Sequence, residues 1–276
     1  MSWTTWYPSP LVLDSAVIAL GLAASAFATL RRRGRSDLAD WPRAALFLVA
    51  VAIGTLALVS PLDEAGDTYL LSAHMLQHVL IGDVAPALAL VALRGPLLFF
   101  VLPSTVLRHV ARISPLRSAL AFLLRPRVSI GAWALVIGAW HIPAAYDYTL
   151  THQTVHDVAH LSFIAVGLLA WSQIIDPARR NALDVSQRLI CALAMAAFAV
   201  AVGSVLVFSA PLYPAYAQQA TRLFGLSPVA DQQLAGLLMI GEQLGALALC
   251  AGFLLPELAR ARRATPPVST VVVPAS

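Results

Sequence analysis

Charged residues are scarce in this chain, and none of them is a lysine. Only 12% of the 276 residues are charged, whereas soluble domains carry about 25%. The hydrophobic share is 59% and the mean hydropathy is +0.77. This composition excludes an ordinary soluble domain and favours a polytopic membrane protein with roughly six to eight spans.

Cysteine is almost absent as well. Cys191 and Cys250 both lie inside apolar runs, and no C-x-x-C spacing occurs. The sequence therefore suggests neither a disulfide framework nor a thiolate metal motif, and we interpret both cysteines as packing residues.

The basic charge consists of 18 arginines and gives a pI near 9.5. The arginines occur in short clusters between apolar runs, as expected for residues that orient membrane spans and attract anionic lipid. We therefore predict lipid contacts and no nucleic-acid partner.

The apolar runs predict an all-α fold, a single helical membrane domain over residues 1–264. We expect the first run to be a retained span, because no basic residue precedes it and an arginine cluster follows it. The predicted seven transmembrane helices cover residues 11–30, 43–60, 68–93, 128–146, 153–175, 186–209 and 230–255.

The arginines also predict the orientation. With the N-terminus extracytoplasmic and the C-terminus cytoplasmic, every arginine except Arg222 falls on the inner side, as the positive-inside rule requires. Residues 97–125 are short and partly basic, so we predict a re-entrant or inner-surface segment there. Residues 265–276 lack helical periodicity and are predicted to be a disordered tail.

Two histidine pairs lie inside predicted spans: His74 with His78, and His156 with His160. Residues four apart project from the same helix face, so each pair can bind one cation or two adjacent cations. Ionisable residues within a membrane are costly to bury and therefore indicate function. The pairs predict a metal site.

The predicted topology brings these residues to a similar depth. Spans three, four and five place five histidines in the outer half of the membrane, and a carboxylate begins span seven at the outer side. We predict one cavity, opening outward, whose metal ligands are His74, His78, His141, His156, His160 and Asp231.

Other polar residues near this cavity are accessory candidates. They are Asp63, Gln77, Tyr146, His152 and Glu242. Asp63 belongs to an acidic outer loop able to attract cations, His152 lies at the water boundary, and Glu242 lies near mid-span. Met75 and Met239 are soft side chains that suit Cu(I), although methionine in an apolar span more often only packs.

Ligand type alone does not select the metal, because imidazole suits zinc, copper, iron and nickel. Haem fits less well, since bis-histidine haem needs one ring on each of its faces. A zinc-dependent intramembrane hydrolase would use the same residues with an open water position. A copper transporter would continue the ligands to the inner face, where the sequence has only the two cysteines.

Several strings give the chain a family resemblance over about residues 43 to 255. They are SPLD from Ser60, LSAHMLQH from Leu71, AP from Ala85, WHIPAAYD from Trp140, the His156 and His160 pair leading to GLLAW from Gly167, and DQQLAG from Asp231. These strings resemble the CtaG family of cytochrome c oxidase assembly factors.

The resemblance implies a multi-pass protein of the bacterial cell membrane that helps to build caa-type haem–copper oxidases by supplying copper. Its partners would be oxidase subunits and an extracytoplasmic copper donor. The resemblance carries over the same five histidines and Asp231. We therefore predict a copper-binding assembly factor that is not an enzyme, with the hydrolase and the transporter as alternatives.

Overall fold

The computed structural model describes residues 5–264, and among these it contains helices and no strand. The predicted disordered tail, residues 265–276, lies outside the described residues. The helices are α1 (Pro10–Arg32), α2 (Trp41–Val59), α3 (Pro61–Glu64), α4 (Leu71–Val79), α5 (Ala85–Leu93), α6 (Pro96–Val101), α7 (Ser104–Arg112), α8 (Ser114–Leu123), α9 (Pro126–Trp140), α10 (Pro143–Thr151), α11 (Gln153–Ile175), α12 (Val185–Phe208), α13 (Pro214–Ala217) and α14 (Pro228–Ala264).

Six helices in the described part of the chain are long and apolar enough to cross a membrane. They are Pro10–Arg32, Trp41–Val59, Leu71–Leu93, Gln153–Ile175, Val185–Phe208 and Pro228–Arg260. A seventh crossing exists if α8 and α9, which are bent by 77° at their junction, form one span. The fold is thus the predicted helical membrane bundle with six or seven spans.

The predicted fourth span, residues 128–146, is not one helix. α9 ends at Trp140, and α10 begins at Pro143. A proline disfavours helical backbone in the residue before it and has no N–H to continue the ladder, so Ile142 is extended, with φ −66° and ψ 122°. This break leaves α9 with 15 residues and turns His141 into its C-terminal cap.

The third predicted span begins at Leu71 and not at residue 68, because Leu70 is extended. Two π-helical turns flank α4: Ala65–Tyr69 precedes it and Leu80–Val84 joins it to α5. π-Helical turns are rare and occur often at functional sites. Here they bracket the first histidine pair.

Residues 97–125 fold into three short helices. α6 packs against α1 and buries Leu97, whereas α7 and α8 bury no residue within the protein. Exposed amphipathic helices are compatible with the surface position predicted for this segment.

The arginine-bearing loops meet at one end of the bundle. The Arg31 guanidinium donates to the Ala39 carbonyl oxygen at 3.0 Å, and that of Arg43 donates to the Arg94 carbonyl oxygen. The backbone N–H of Gly95 donates to the carbonyl oxygen of Pro177 at 2.6 Å, so the loop that follows α11 lies at the same end. These bonds agree with the predicted clustering of arginines on one side, and the cytoplasmic assignment of that side stays a prediction.

α11 lies at the centre of the bundle and packs directly against the π-helical turn after α4. A Cβ at Gly167 would collide with the Gly82 carbonyl oxygen, so only glycine permits this approach. The contact places α11 beside the segment that carries His74 and His78.

Candidate metal centre

Four histidines from two helices converge in the bundle: His74 and His78 of α4, and His156 and His160 of α11. All four are buried, and one ring nitrogen from each lies within 4.8 Å of the other three. Ring centroids are 4.3 Å apart within the first pair and 4.1 Å apart within the second. Helical spacing of four thus places each pair on one face, and the packing of α11 against the π-helical turn after α4 brings the two faces together.

The distances between these nitrogens suit a metal ion. The Nε2 atom of His74 lies 2.9 Å from Nε2 of His78 and 3.4 Å from Nε2 of His156. Metal–nitrogen bonds of about 2.0–2.1 Å in a tetrahedron separate the nitrogens by about 3.4 Å. Small movements of the rings would therefore give a tetrahedral set, and among the described residues this is the one group of its kind.

A hydrogen-bond chain orients His74. The Tyr216 hydroxyl donates to the Gly66 carbonyl oxygen at 2.7 Å, so its oxygen accepts the Nδ1–H of His74 at 2.9 Å. His74 then carries its proton on Nδ1, and the lone pair of Nε2 points at the other histidines. Such outer partners fix the tautomer of metal-binding histidines. Tyr216 was not among the sequence-predicted residues, because nothing along the chain links it to α4.

An acidic side chain borders the histidines. The Oδ1 atom of Asp67 is 3.5 Å from Nε2 of His156 and 3.7 Å from Nδ1 of His74. Burial raises the pKa of the Asp67 carboxyl to about 8. The acidic loop was noted in the sequence, but its position in the chain did not indicate which carboxylate comes nearest the site.

Asp63 and Gln77, two accessory candidates, support the loop and do not enter the histidine group. The Gln77 amide donates to Asp63 at 2.5 Å and to the Ala57 carbonyl oxygen at 2.9 Å. Burial raises the pKa of the Asp63 carboxyl to about 6, and the bond from Gln77 opposes this shift. Both residues therefore fix the acidic loop onto α2 and α4.

Asp231 was predicted as a ligand at the rim, and the structure places it elsewhere. Its side chain is buried, and its two oxygens accept the N–H groups of Leu71 and Ser72 at 2.8 and 3.0 Å. It also accepts the Ser72 hydroxyl at 2.5 Å. Asp231 thus caps the first turn of α4 from α14, because the first N–H groups of a helix need acceptors.

His141 also lies outside the four-histidine group. Its Nδ1–H donates to the Ile137 carbonyl oxygen at 2.7 Å, as a residue at the end of α9 can do. Its Nε2 atom is buried and has no hydrogen-bond partner within residues 5–264. His141 lines a small cavity that His78 also lines.

The other accessory candidates have three different positions. The Tyr146 ring is buried, with its centroid 5.1 Å from that of His74, so it closes one side of the site. The His152 ring is exposed and stacks on Tyr148 at 3.7 Å, away from the histidine group. Glu242 lines the same small cavity as His141.

A groove of about 860 Å³ reaches the site between α1, α2 and α11. Most of its wall is apolar, for example Ala19, Leu58 and Ile164, and its polar end includes His156 and His160. The acidic loop forms part of the same end. One side of the histidine group is therefore open to a ligand that lies between the helices.

Membrane-length helices around four buried histidines define a multi-pass membrane protein with a group able to hold a metal ion. The chain belongs to the family of cytochrome c oxidase caa3 assembly factors, Caa3_CtaG, whose model matches residues 23–261. That range includes both histidine pairs. Neither a curated protein nor a solved structure matches the chain. Membership gives the protein a role in oxidase assembly, and thereby a functional connection to cytochrome c oxidase.

Proposed function

We propose that the four-histidine site binds copper and passes it to the oxidase during assembly. The observation that carries the proposal is the convergence of four imidazoles from α4 and α11 in a family that serves a haem–copper oxidase. The metal is cargo in this account, so the site must hold it and also release it.

The ligand set favours copper in its monovalent state. Imidazole is a good copper ligand. The four rings are neutral donors in a buried site, and burying an ion costs more as its charge rises. A Cu(I) ion therefore suits this site better than a divalent ion.

The groove supports lateral transfer. His156 and His160 line it, so a membrane helix of the oxidase that entered between α1 and α11 could bring its own ligand to the metal. Ligand exchange of this kind needs one open side, and the groove provides it. The chain would act as a metallochaperone and not as an enzyme.

The acidic loop supports entry of a cation from the same end. Asp63 and Glu64 line the polar end of the groove, and carboxylates attract cations before they bind. With the arginine-bearing loops in the cytoplasm, this end is extracytoplasmic, where a soluble copper donor would reach it.

A zinc-dependent hydrolase remains the second candidate because of Asp67. A catalytic zinc site needs a carboxylate near its ligands to act as a general base, and Asp67 lies 3.5 Å from His156. A transporter has less support, since the described residues contain no second group of this kind on the way to the arginine-bearing end.

The test is deletion of the gene, followed by measurement of oxidase activity and oxidase copper content. Complementation with His160→Ala is expected to leave the oxidase short of copper, whereas His152→Ala, which changes an exposed histidine, restores it. Full oxidase copper in the deletion strain contradicts the proposal. Zinc in the purified protein, with metal-dependent hydrolysis lost in Asp67→Asn, would favour the hydrolase.

A further inference from the structure

A second cavity, of about 30 Å³, lies beside the four-histidine site. His78 and two neighbours line it from α4, and the rest of its wall comes from the π-helical turn after α4 and from α9, α11, α12 and α14. The residues around it are Met75, His78, Val79, Asp83, Trp133, Ile137, His141, Phe163, Ala199, Met239, Glu242 and Gln243.

Five polar atoms of this wall have no hydrogen-bond partner in the described part of the chain. They are Nδ1 of His78, Nε2 of His141, Nε1 of Trp133, Oε2 of Glu242 and Nε2 of Gln243. The His78 and Trp133 side chains are only 9% and 2% exposed. Buried polar atoms are seldom left without partners, because each costs free energy of desolvation.

The chemistry of these five atoms points to water. The Trp133 indole N–H can only donate, and the Glu242 carboxylate oxygen accepts, so the cavity presents both kinds of group. A water molecule donates and accepts, whereas a cation would be repelled by the indole N–H. A volume of about 30 Å³ exceeds the roughly 10–15 Å³ that one water needs.

His78 connects this cavity to the metal centre. Because Nε2 of His74 carries a lone pair, the bond between the two Nε2 atoms requires His78 to donate its Nε2–H. When Nε2 of His78 becomes a ligand, that proton is absent and the neutral ring carries its proton on Nδ1 instead. His78 lines the second cavity and its Nδ1 has no partner among the described residues, so the liganded tautomer needs an acceptor there.

Glu242 is the carboxylate available for this task. Asp83, the other carboxylate on the wall, already accepts the Trp171 indole N–H at 3.0 Å through Oδ1. The Oε2 atom of Glu242 has no partner among residues 5–264. Metal-binding histidines commonly donate their second N–H to a carboxylate or to water, which orients the ring.

We propose that the second cavity holds ordered water through which Glu242 positions His78 as a metal ligand. Glu242 is then a positioning residue that acts through His78. The inference rests on the proposed metal function of the four histidines, and it adds a residue from α14, 164 positions along the chain from His78.

The test compares Glu242→Leu and Glu242→Gln with the wild-type protein, in purified form. Glu257→Gln is the matched control, because it changes an exposed carboxylate of the same helix. We expect Glu242→Leu to lower Cu(I) affinity about 10–100-fold at unchanged stoichiometry, with a smaller loss for Glu242→Gln, whose amide oxygen still accepts. The thermal midpoint of each variant in detergent shows that it is folded.

A second measurement does not depend on copper. In metal-free protein labelled with ¹⁵N-histidine, water-edited solid-state NMR is expected to show transfer from water to the His78 ring, and Glu242→Leu is expected to reduce it. No transfer in the wild type, or copper affinity unchanged in folded Glu242→Leu, would overturn the inference. Two copper ions per chain, one lost in Glu242→Leu, would instead make the cavity a second cation site. A purified protein that binds no copper but shows normal water transfer to His78 would refute the proposed copper function and not the ordered water in the second cavity.

Discussion

The Nε2 atoms of His74 and His156 lie 3.4 Å apart, although 82 residues separate them in the chain. Each belongs to a pair spaced by one helical turn, so this single approach brings four imidazoles together. The shared site is therefore a property of the packing of α11 against the π-helical turn and α5 that follow α4, and its occupancy should depend on the partners that fix these segments.

Tyr216→Phe should weaken metal binding without preventing folding. The substitution removes the oxygen that accepts the His74 Nδ1–H and the hydroxyl that donates to Gly66. Loss of such an outer partner commonly lowers metal affinity about 10–100-fold. Competition titration with a Cu(I) chelator measures the change. Tyr148→Phe is the control, because Tyr148 stacks on exposed His152, and equal affinities in both variants would contradict this role of Tyr216.

Asp231→Asn should lower stability more than metal binding. An amide has only one acceptor oxygen, so either the Leu71 or the Ser72 N–H loses its partner, and a buried unsatisfied group costs about 1–3 kcal/mol. The measurement is the thermal midpoint in detergent, together with copper per folded chain. A variant of wild-type stability that binds no copper would show that Asp231 is a ligand, as the sequence first indicated.

Gly167→Ala should disturb the approach of α11 to the π-helical turn after α4. The new Cβ would meet the Gly82 carbonyl oxygen, which is backbone and cannot rotate away, so the helices must separate. Overpacking of this kind costs about 1–3 kcal/mol, and the two histidine pairs would move apart. Gly131→Ala is the matched control, since no atom of the described residues lies within 4 Å of its added Cβ. Chemical unfolding and copper stoichiometry that are equal in both variants would refute the expectation.

Labelling of single cysteines should establish the orientation. A cysteine-free background with Arg33→Cys is expected to react with a membrane-impermeant maleimide only after the cells are opened, whereas Thr221→Cys should react in intact cells. The reason is the positive-inside rule, which puts every arginine except Arg222 on the inner side. The reverse pattern would put the histidine site on the cytoplasmic side and exclude entry of copper from outside.

Much of the bundle could be predicted from sequence because membrane spans require long apolar runs. The two histidine pairs could be predicted for a similar reason, since spacing of four fixes a shared helix face. The break at Pro143 was also visible in the sequence, but the apolar run continued across it. A helix broken near the membrane boundary cannot be told from a kinked one without its packing partners.

Other features depend on contacts that a sequence does not contain. A carboxylate at the start of a span, such as Asp231, can cap its own helix, cap a neighbour or bind a metal, and the residues around it look the same in all three cases. Tyr216 and Asp67 reach the site only because α13 and the π-helical turn before α4 fold against it. The second cavity likewise depends on how α4, α9, α11, α12 and α14 pack.

The most direct test of the central claim is X-ray absorption at the copper edge, on purified protein loaded anaerobically with Cu(I), alongside elemental analysis. The account predicts one copper per chain in a shell of imidazole nitrogens at about 2.0 Å. It also predicts loss of that copper in His160→Ala but not in His152→Ala. A protein that holds no copper, or holds it in a sulfur or oxygen shell unaffected by His160→Ala, would contradict the account.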